Sequence, residues 1–326
     1  MEAASKTASF RSPLKQERKR FGDDFFKYFT MGIASLVLVI IVLVVYQLVT
    51  SSSLSIAKFG LGFITSSTWD PVAETFGALP MIWGTVISSM LGLVIALPLS
   101  LGVAIFLAEL APLFMKSWMI TTFSFLVELL AAIPSIVYGL WGMFVLAPWL
   151  QTTIQPWLIA HFGAIFLFKG LPYGIGMMPA AIILSIMMIP IITSISRDVI
   201  NMVPYTLKEG ALALGATRWE AIMMVLGTAR SGVLGAVILG MGRALGETMA
   251  VTLVIGNTPQ ISTSIMQPAT TMASVLANEF TEATSDLYIS SLIEVGLILF
   301  IITIVVNVAA RLLVWQASKN LVTQSR

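Results

Sequence analysis

Long apolar stretches separated by short polar segments dominate the pattern of this chain. Six of them are long enough to cross a hydrocarbon layer of roughly 30 Å as helices. They cover about residues 31–50, 81–108, 119–147, 175–196, 231–256 and 288–314. The pattern predicts an all-α polytopic membrane protein with about six transmembrane helices.

Basic residues are distributed very unevenly between the two ends of these predicted helices. Of the 18 lysines and arginines, fifteen fall in the N-terminal tail, the loops after the second and fourth spans, and the C-terminal end. Only Lys58 and Lys169 fall on the other side, and Arg243 lies inside the fifth span. Because cytoplasmic loops of membrane proteins are enriched in lysine and arginine, both termini are predicted to be cytoplasmic.

These boundaries divide the chain into five parts. We expect a basic cytoplasmic tail, a first membrane helix that is retained as an anchor, a periplasmic loop, a core permease domain and a second cytoplasmic tail. Their ranges are 1–30, 31–50, 51–80, 81–314 and 315–326, and the core contains a long cytoplasmic loop at 197–230.

Composition agrees with this class and excludes several kinds of site. Hydrophobic residues make up 57% of the chain and charged residues 10%, against about 25% charged in soluble domains. With no cysteine and a single histidine, His161, the chain offers no disulfide, thiolate metal site or histidine-rich centre. We therefore expect no metal site, and an intramembrane enzyme is disfavoured.

Two features indicate helix interruptions at membrane depth. Pro98, Pro134 and Pro190 fall within predicted spans, where each can kink or break its helix. The segment 148–174 is rich in tryptophan and phenylalanine, which indicates a position at the membrane interface or a short re-entrant piece.

The fifth span carries two charges, Arg243 and Glu247, in an otherwise apolar region. Four residues apart, they are predicted to share one helical face. Each costs about 2.5–3.5 kcal/mol at a span centre, so an interior or wet location is expected. Arginine binds oxyanions through two parallel hydrogen bonds, and a carboxylate can accept a hydrogen bond from a protonated oxyanion. A substrate path, a structural ion pair and proton coupling all remain open.

Further carboxylates lie at membrane depth, Glu128 in the third span and Glu294 in the sixth. Either is a possible partner of Arg243 and a candidate for the substrate path, and the sequence does not choose between them.

Small residues recur at every fourth position of the fifth span. Positions 232, 236, 240, 244, 248, 252 and 256 are Gly, Ala, Gly, Ala, Thr, Thr and Gly. Because small side chains let helices approach closely, this span is predicted to lie in a tight helix–helix interface, with the charged pair beside it.

The cytoplasmic loop is predicted to form two short helices with a sharp turn at Gly215. Thr206 with Glu209, and Thr217 with Glu220, have the spacing of a capping box. The first helix is expected to bury Leu207, Ala211 and Leu214, and the second to present Trp219, Ile222 and Met223. Such a helical surface suits either docking of a cytoplasmic partner or packing on its own membrane domain.

One stretch of this loop resembles the EAA loop of permeases from binding-protein-dependent ABC importers. Glu209, Gly210, Ala211 and Gly215 carry the resemblance, although Gly210 replaces the middle alanine and Gly227-Thr228 stands where the family often has Leu-Pro. By this resemblance, the loop from Glu209 to Gly215 docks on an ATPase.

More specific stretches resemble the PstC family of phosphate permease subunits. They are ELLAAIPSIVYGLWG (128–142), GMGRALGETMAVTLVIGN (240–257), SVLANEFTEA (274–283) and EVGLILFIIT (294–303). The resemblance implies a MetI-like fold in the bacterial inner membrane and a role of Arg243 and Glu247 in phosphate passage. It also implies a second permease PstA, two copies of the ATPase PstB and the periplasmic phosphate-binding protein PstS.

The chain contains no GxxxxGK[ST] motif, so ATP and magnesium are expected to bind a partner, with no cofactor in this chain. The favoured hypothesis is therefore a non-enzymatic subunit of an ATP-driven phosphate importer. A permease for another oxyanion, such as sulfate or molybdate, and a stand-alone transporter driven by an ion gradient are the alternatives.

Overall fold

A computed structural model describes residues 21–324, and within this range the protein is helical with one isolated β-bridge. The chain divides into two units, one ending at Gln47 and one beginning at Leu48. The first unit consists, in its described part, of most of helix α1 (Phe21–Ser51). The predicted basic tail lies outside the described residues as far as residue 20.

The second unit holds the remaining helices. They are α2 (Ser53–Phe59), α3 (Gly62–Thr65), α4 (Leu79–Ile105), α5 (Ser117–Ala132), α6 (Ser135–Trp141), α7 (Ala147–Trp149), α8 (Gln155–Phe162), α9 (Met177–Asn201), α10 (Tyr205–Ala213), α11 (Arg218–Leu245), α12 (Met249–Thr252), α13 (Met272–Glu279) and α14 (Asp286–Gln324). Short π-helical and 3₁₀ segments extend α4 to Leu113, and π-helical segments join α6, α7 and α8.

Five helices are long and apolar enough to cross a membrane, or six spans if the bent pair α5 with α6–α8 counts as one. This confirms the predicted all-α polytopic class. Several bounds differ from the predicted ones: α14 continues through most of the predicted C-terminal tail, and α11 begins at Arg218 and ends at Leu245, whereas a span over 231–256 was expected.

The bend in the third span lies at Pro134, as its sequence allows. Helix α5 ends at Ala132, α6 begins at Ser135, and the two axes differ by 87°. Pro98 and Pro190, by contrast, lie inside α4 and α9. The aromatic segment, expected at the interface or as a re-entrant piece, continues the bent helix as far as Phe162.

Helices α4, α9 and α11 pack closely because small residues lie between them. A Cβ placed on Gly92 of α4 would come within 3.0 Å of the Leu184 Cβ, and one on Gly240 of α11 within 2.8 Å of the Ile192 side chain. Without a hydrophobic driving force in lipid, such close packing holds helices together. The predicted small stripe is therefore correct along α11, but it stops where that helix ends.

The predicted periplasmic loop 51–80 is a folded part of the second unit. Helices α2 and α3 and a short hairpin, with a bridge between Asp70 and Thr75, pack on α14. Phe63, Phe76 and Tyr288 form the centre of this small core, in which the rings of Phe76 and Tyr288 stack at 5.2 Å.

Candidate functional site

Arg243 and Glu247 do not lie on one helical face, which corrects the prediction. Helix α11 ends at Leu245, with Gly246 at its C-cap, so only Arg243 belongs to it. Glu247 is half-buried and its Oε1 accepts a hydrogen bond from the Ala250 amide at 3.3 Å, at the start of α12. Among the residues that the structure describes, no ion pair joins the two side chains.

Tertiary packing explains why the fifth span is interrupted. Helix α12 packs against α6 at Gly139, where an added Cβ would come within 2.9 Å of the Ala250 Cα. Continuing α11 past Leu245 would move Ala250 away from this contact. The periodicity of a single helix contains no information about such a packing partner.

Arg243 is exposed in the last turn of α11, near the break between α5 and α6 that Tyr138 spans. Its charge acts on the phenol of Tyr138, whose hydroxyl donates to the Leu130 carbonyl at 2.8 Å across that break. No described residue forms a hydrogen bond or ion pair with the Arg243 side chain. All donors of its guanidinium are thus available to an anion.

Glu128, a possible partner of Arg243 in the sequence, pairs elsewhere. Its Oε1 lies 3.1 Å from Nη2 of Arg197, which also contacts Asp198 Oδ1 at 2.8 Å. The three side chains line a polar cleft between α5 and α9. Because its arginine is already bound by two carboxylates, this cleft does not offer an anion site.

Glu294, the other possible partner, lies on α14 next to Ser55 of α2. Glu294 is 6% exposed and lies beside Ser55, while its Oε2 has no partner among the described residues. Ser55 also contacts Ser291 at 3.1 Å between the two hydroxyl oxygens. Glu294 therefore links α14 to α2 and forms no ion pair with Arg243 in the described structure.

The loop after α9 forms one short helix and the beginning of a long one. Helix α10 is followed by Gly215 with φ +89°, as the predicted sharp turn requires. The capping box of Thr217 and Glu220 is present, with the Thr217 amide donating to Glu220 Oε2 at 2.7 Å. The expected second short helix is instead the first part of α11.

Three further expectations about this loop are wrong. Ile222, expected to be presented on the surface, is buried at 4% exposure. The cap of α10 is Pro204 without a side-chain hydrogen bond, so Thr206 and Glu209 form no capping box. Helix α10 buries no side chain, and Leu214 is 91% exposed. Most of its apolar side chains are therefore exposed, as docking to a partner requires.

An ion pair attaches α10 to the membrane bundle. The Nζ of Lys208 donates to Oε2 of Glu109, which is 8% exposed in the π-helical extension of α4. Lys208 also lies over the ring of Tyr205. The loop thus exposes Leu214 and Trp219, the latter 65% exposed, and is attached to the bundle by a nearly buried charge pair.

The family of inner membrane components of binding-protein-dependent transport systems matches residues 100–316. The chain belongs to this family. Helices α5 to α13, with the loop that carries α10, fall wholly in the matched region, and α4 and α14 fall in it in part.

Curated relatives within the family extend the similarity to nearly the whole chain. The phosphate transport system permease protein PstC of Mesorhizobium japonicum is 51% identical over 89% of each chain. That of Haemophilus influenzae is 46% identical over 92% of this chain and 97% of its own. A probable PstC of Methanocaldococcus jannaschii is 35% identical over 87% and 91%. The resemblance read from the sequence motifs is confirmed.

A solved structure shows the same fold. A chain of the MetNI methionine ABC transporter in an inward-facing conformation covers 74% of this chain and 94% of its own, with a TM-score of 0.50 and 17% identity. The chain is thus a multi-pass permease subunit with a MetI-like fold.

Sequence reasoning missed the roles of Arg197, Lys208 and Glu109. Their partners are far away along the chain, so no local spacing indicates the pairs. One more signal was overlooked although it is local: Thr303, Asn307 and Arg311 are spaced four residues apart on α14.

Proposed function

We propose that this chain is a transmembrane subunit of an ATP-driven importer of inorganic phosphate. The observation that carries the proposal is Arg243, a guanidinium in the last turn of a membrane helix with no partner among the described residues. Leaving such a charge uncompensated at membrane depth is costly, and a translocated anion offsets that cost. Relatives named as phosphate permeases across about 90% of the chain support phosphate as that anion.

Glu247, at the start of α12, complements Arg243 in this proposal. Oε1 caps α12, which leaves Oε2 as an acceptor for the hydroxyl of a protonated phosphate. Arginine and carboxylate together favour a protonated oxyanion over fully ionised sulfate. The predicted roles of Glu128 and Glu294 in the substrate path receive less support, because Glu128 pairs with Arg197 and Glu294 lies beside Ser55.

The exposed surface of α10 and the start of α11 supports coupling to an ATPase. Leu214 and Trp219 offer apolar contacts, and the Lys208–Glu109 pair provides a stiff connection to α4. ATP and magnesium bind that partner and not this chain. When a dimer of the ATPase PstB closes, movement of α10 is transmitted to the bundle, which alternates between outward and inward access.

The remaining partners complete the assembly in this proposal. A related permease, PstA, forms a heterodimer with this chain in the inner membrane, and both termini are cytoplasmic. Helices α2, α3 and α13, which then face the periplasm, receive the phosphate-binding protein PstS. The bundle is surrounded by lipid, and no nucleic acid takes part.

Uptake of labelled phosphate by cells that carry the complete transporter tests the proposal. Arg243→Gln is expected to reduce uptake about 10- to 100-fold, because charge-assisted hydrogen bonds contribute about 1.5–3 kcal/mol each. Arg243→Lys keeps the charge and is expected to retain part of the activity. Subunit assembly is checked by co-purification, and excess sulfate serves as competitor.

Normal uptake by an assembled Arg243→Gln complex would show that this arginine does not bind the anion. Competition by sulfate as effective as by unlabelled phosphate would indicate the broader oxyanion permease. Anion flux through the purified chain alone in liposomes, without any ATPase, would support the transporter driven by an ion gradient.

A further inference from the structure

A groove runs along α11, between α9 on one side and α14 on the other. Its two adjoining cavities, of about 420 and 470 Å³, share the lining residues Leu239, Asn307 and Arg311. Each is many times larger than the roughly 30 Å³ share of one water molecule. Gly232 and Gly235 line the first cavity, and an added Cβ on Gly235 would have no other atom within 4 Å.

Two residues that line the groove share a face of α11 with Arg243. Gly235, Leu239 and Arg243 follow one another at four-residue intervals, so they lie on one face of that helix. An added Cβ on Gly242 would lie 3.6 Å from Oδ1 of Asn307, which places Asn307 at the level of Arg243. Arg311, one turn further along α14, is about 6 Å closer to the end that carries α10.

The wall formed by α14 carries three polar side chains among the apolar side chains of Phe300, Ile304 and Val308. Thr303, Asn307 and Arg311 form a stripe that faces the groove, whereas Val305 on the opposite face is 58% exposed. The amide of Asn307 donates to the Thr303 carbonyl at 2.9 Å, and no described residue donates to its Oδ1. Arg311 forms no hydrogen bond or ion pair with any residue that the structure describes.

We propose that this groove is the inner half of the anion path, with Arg311 and Asn307 as a second binding station between Arg243 and the cytoplasm. The proposal rests on the proposed function. Arg311 donates to the oxyanion, and Asn307 Oδ1 accepts from its remaining proton, which repeats the donor and acceptor chemistry of Arg243 and Glu247. A phosphate that leaves Arg243 thus meets a second cation before it reaches the cytoplasm.

Labelled phosphate uptake by the assembled transporter tests the charge. Arg311→Gln is expected to lower uptake at least tenfold, and Arg311→Lys to restore most of it. Lys116→Gln is the matched control, because it removes an exposed cation at the start of α5, away from the groove. Uptake by an assembled Arg311→Gln complex equal to that of the Lys116→Gln complex would overturn the proposal.

Cysteine labelling tests whether the groove carries water and anion. The chain has no native cysteine, so Asn307→Cys and Val305→Cys each introduce a single thiol into it. In assembled transporter, a charged, membrane-impermeant thiol reagent applied from the cytoplasmic side is expected to modify Asn307→Cys and not Val305→Cys. Phosphate with ATP is expected to slow that modification severalfold.

An unreactive Asn307→Cys would show that lipid or a second subunit fills the groove, and the proposal would fail. Equal reactivity of both thiols, or no effect of phosphate, would also overturn it. If wild-type transporter imports phosphate and Arg243→Gln does not, these results refute the inner path and leave the proposed function standing. Failure of the wild type to import phosphate would refute the proposed function itself.

Discussion

Arg197 and Glu128 join α9 to α5 through an ion pair of 3.1 Å between Nη2 and Oε1. Arg197 is 14% exposed at its side chain and Glu128 54%, so the pair lies at the rim of the cleft. It connects the helix before the 87° bend to the centre of the bundle.

Reversing the charge of Glu128 is expected to loosen this connection. Glu128→Gln should cost little, under about 1 kcal/mol, because the pair is half exposed. Glu128→Lys places a cation against Arg197 and should lower the melting temperature of the purified transporter by several degrees more than Glu128→Gln. Recovery in the double variant Glu128→Lys with Arg197→Glu would establish the pairing, and its absence would refute it.

The Lys208–Glu109 pair gives a prediction about coupling. Lys208→Met leaves Glu109 nearly buried without a counter-charge, which costs up to about 3–5 kcal/mol. We expect α10 to detach, so that phosphate uptake and co-purification of the ATPase both fall. The double variant Lys208→Met with Glu109→Gln removes both charges and should recover ATPase binding in a double-mutant cycle. Additive losses would show that the two side chains act independently.

Glu247 accepts a hydrogen bond from the Ala250 amide of α12, and the proposed function also assigns its carboxylate to phosphate binding. Glu247→Gln keeps an oxygen for the Ala250 amide, whereas Glu247→Ala removes it and should destabilise α12 by about 1 kcal/mol. If the carboxylate binds phosphate, Gln should leave the melting temperature unchanged and still reduce uptake. Normal uptake with Glu247→Gln would limit this residue to capping.

Two glycines are expected to respond in opposite ways to alanine. Gly210, in the interior of α10, has open space around an added Cβ, so Gly210→Ala should stabilise the helix by about 1 kcal/mol and preserve uptake. Gly139→Ala places its Cβ 2.8 Å from Leu253 and 2.9 Å from the Ala250 backbone, and should reduce both stability and uptake. Thermal unfolding and uptake of the same preparations measure both effects. A loss with Gly210→Ala would mean that the surface of α10 tolerates no methyl group there.

The sequence by itself determined the class of the protein and the position of its turn at Gly215. Long apolar runs require helices in a membrane, since every backbone polar group must be satisfied there. The capping box of Thr217 and Glu220 was equally predictable, because it depends on two residues that are three positions apart in the sequence. Local signals of this kind depend only on neighbouring residues.

Tertiary structure alone decided where α11 ends and which charges meet. The contact of Ala250 with Gly139 interrupts the predicted fifth span, so Arg243 and Glu247 belong to different helices. Glu128 has Arg197 as its partner, 69 residues away along the chain, whereas the sequence offered Arg243 as one possible partner. Such choices depend on which helices pack together, and packing energies between distant segments leave no period in the sequence.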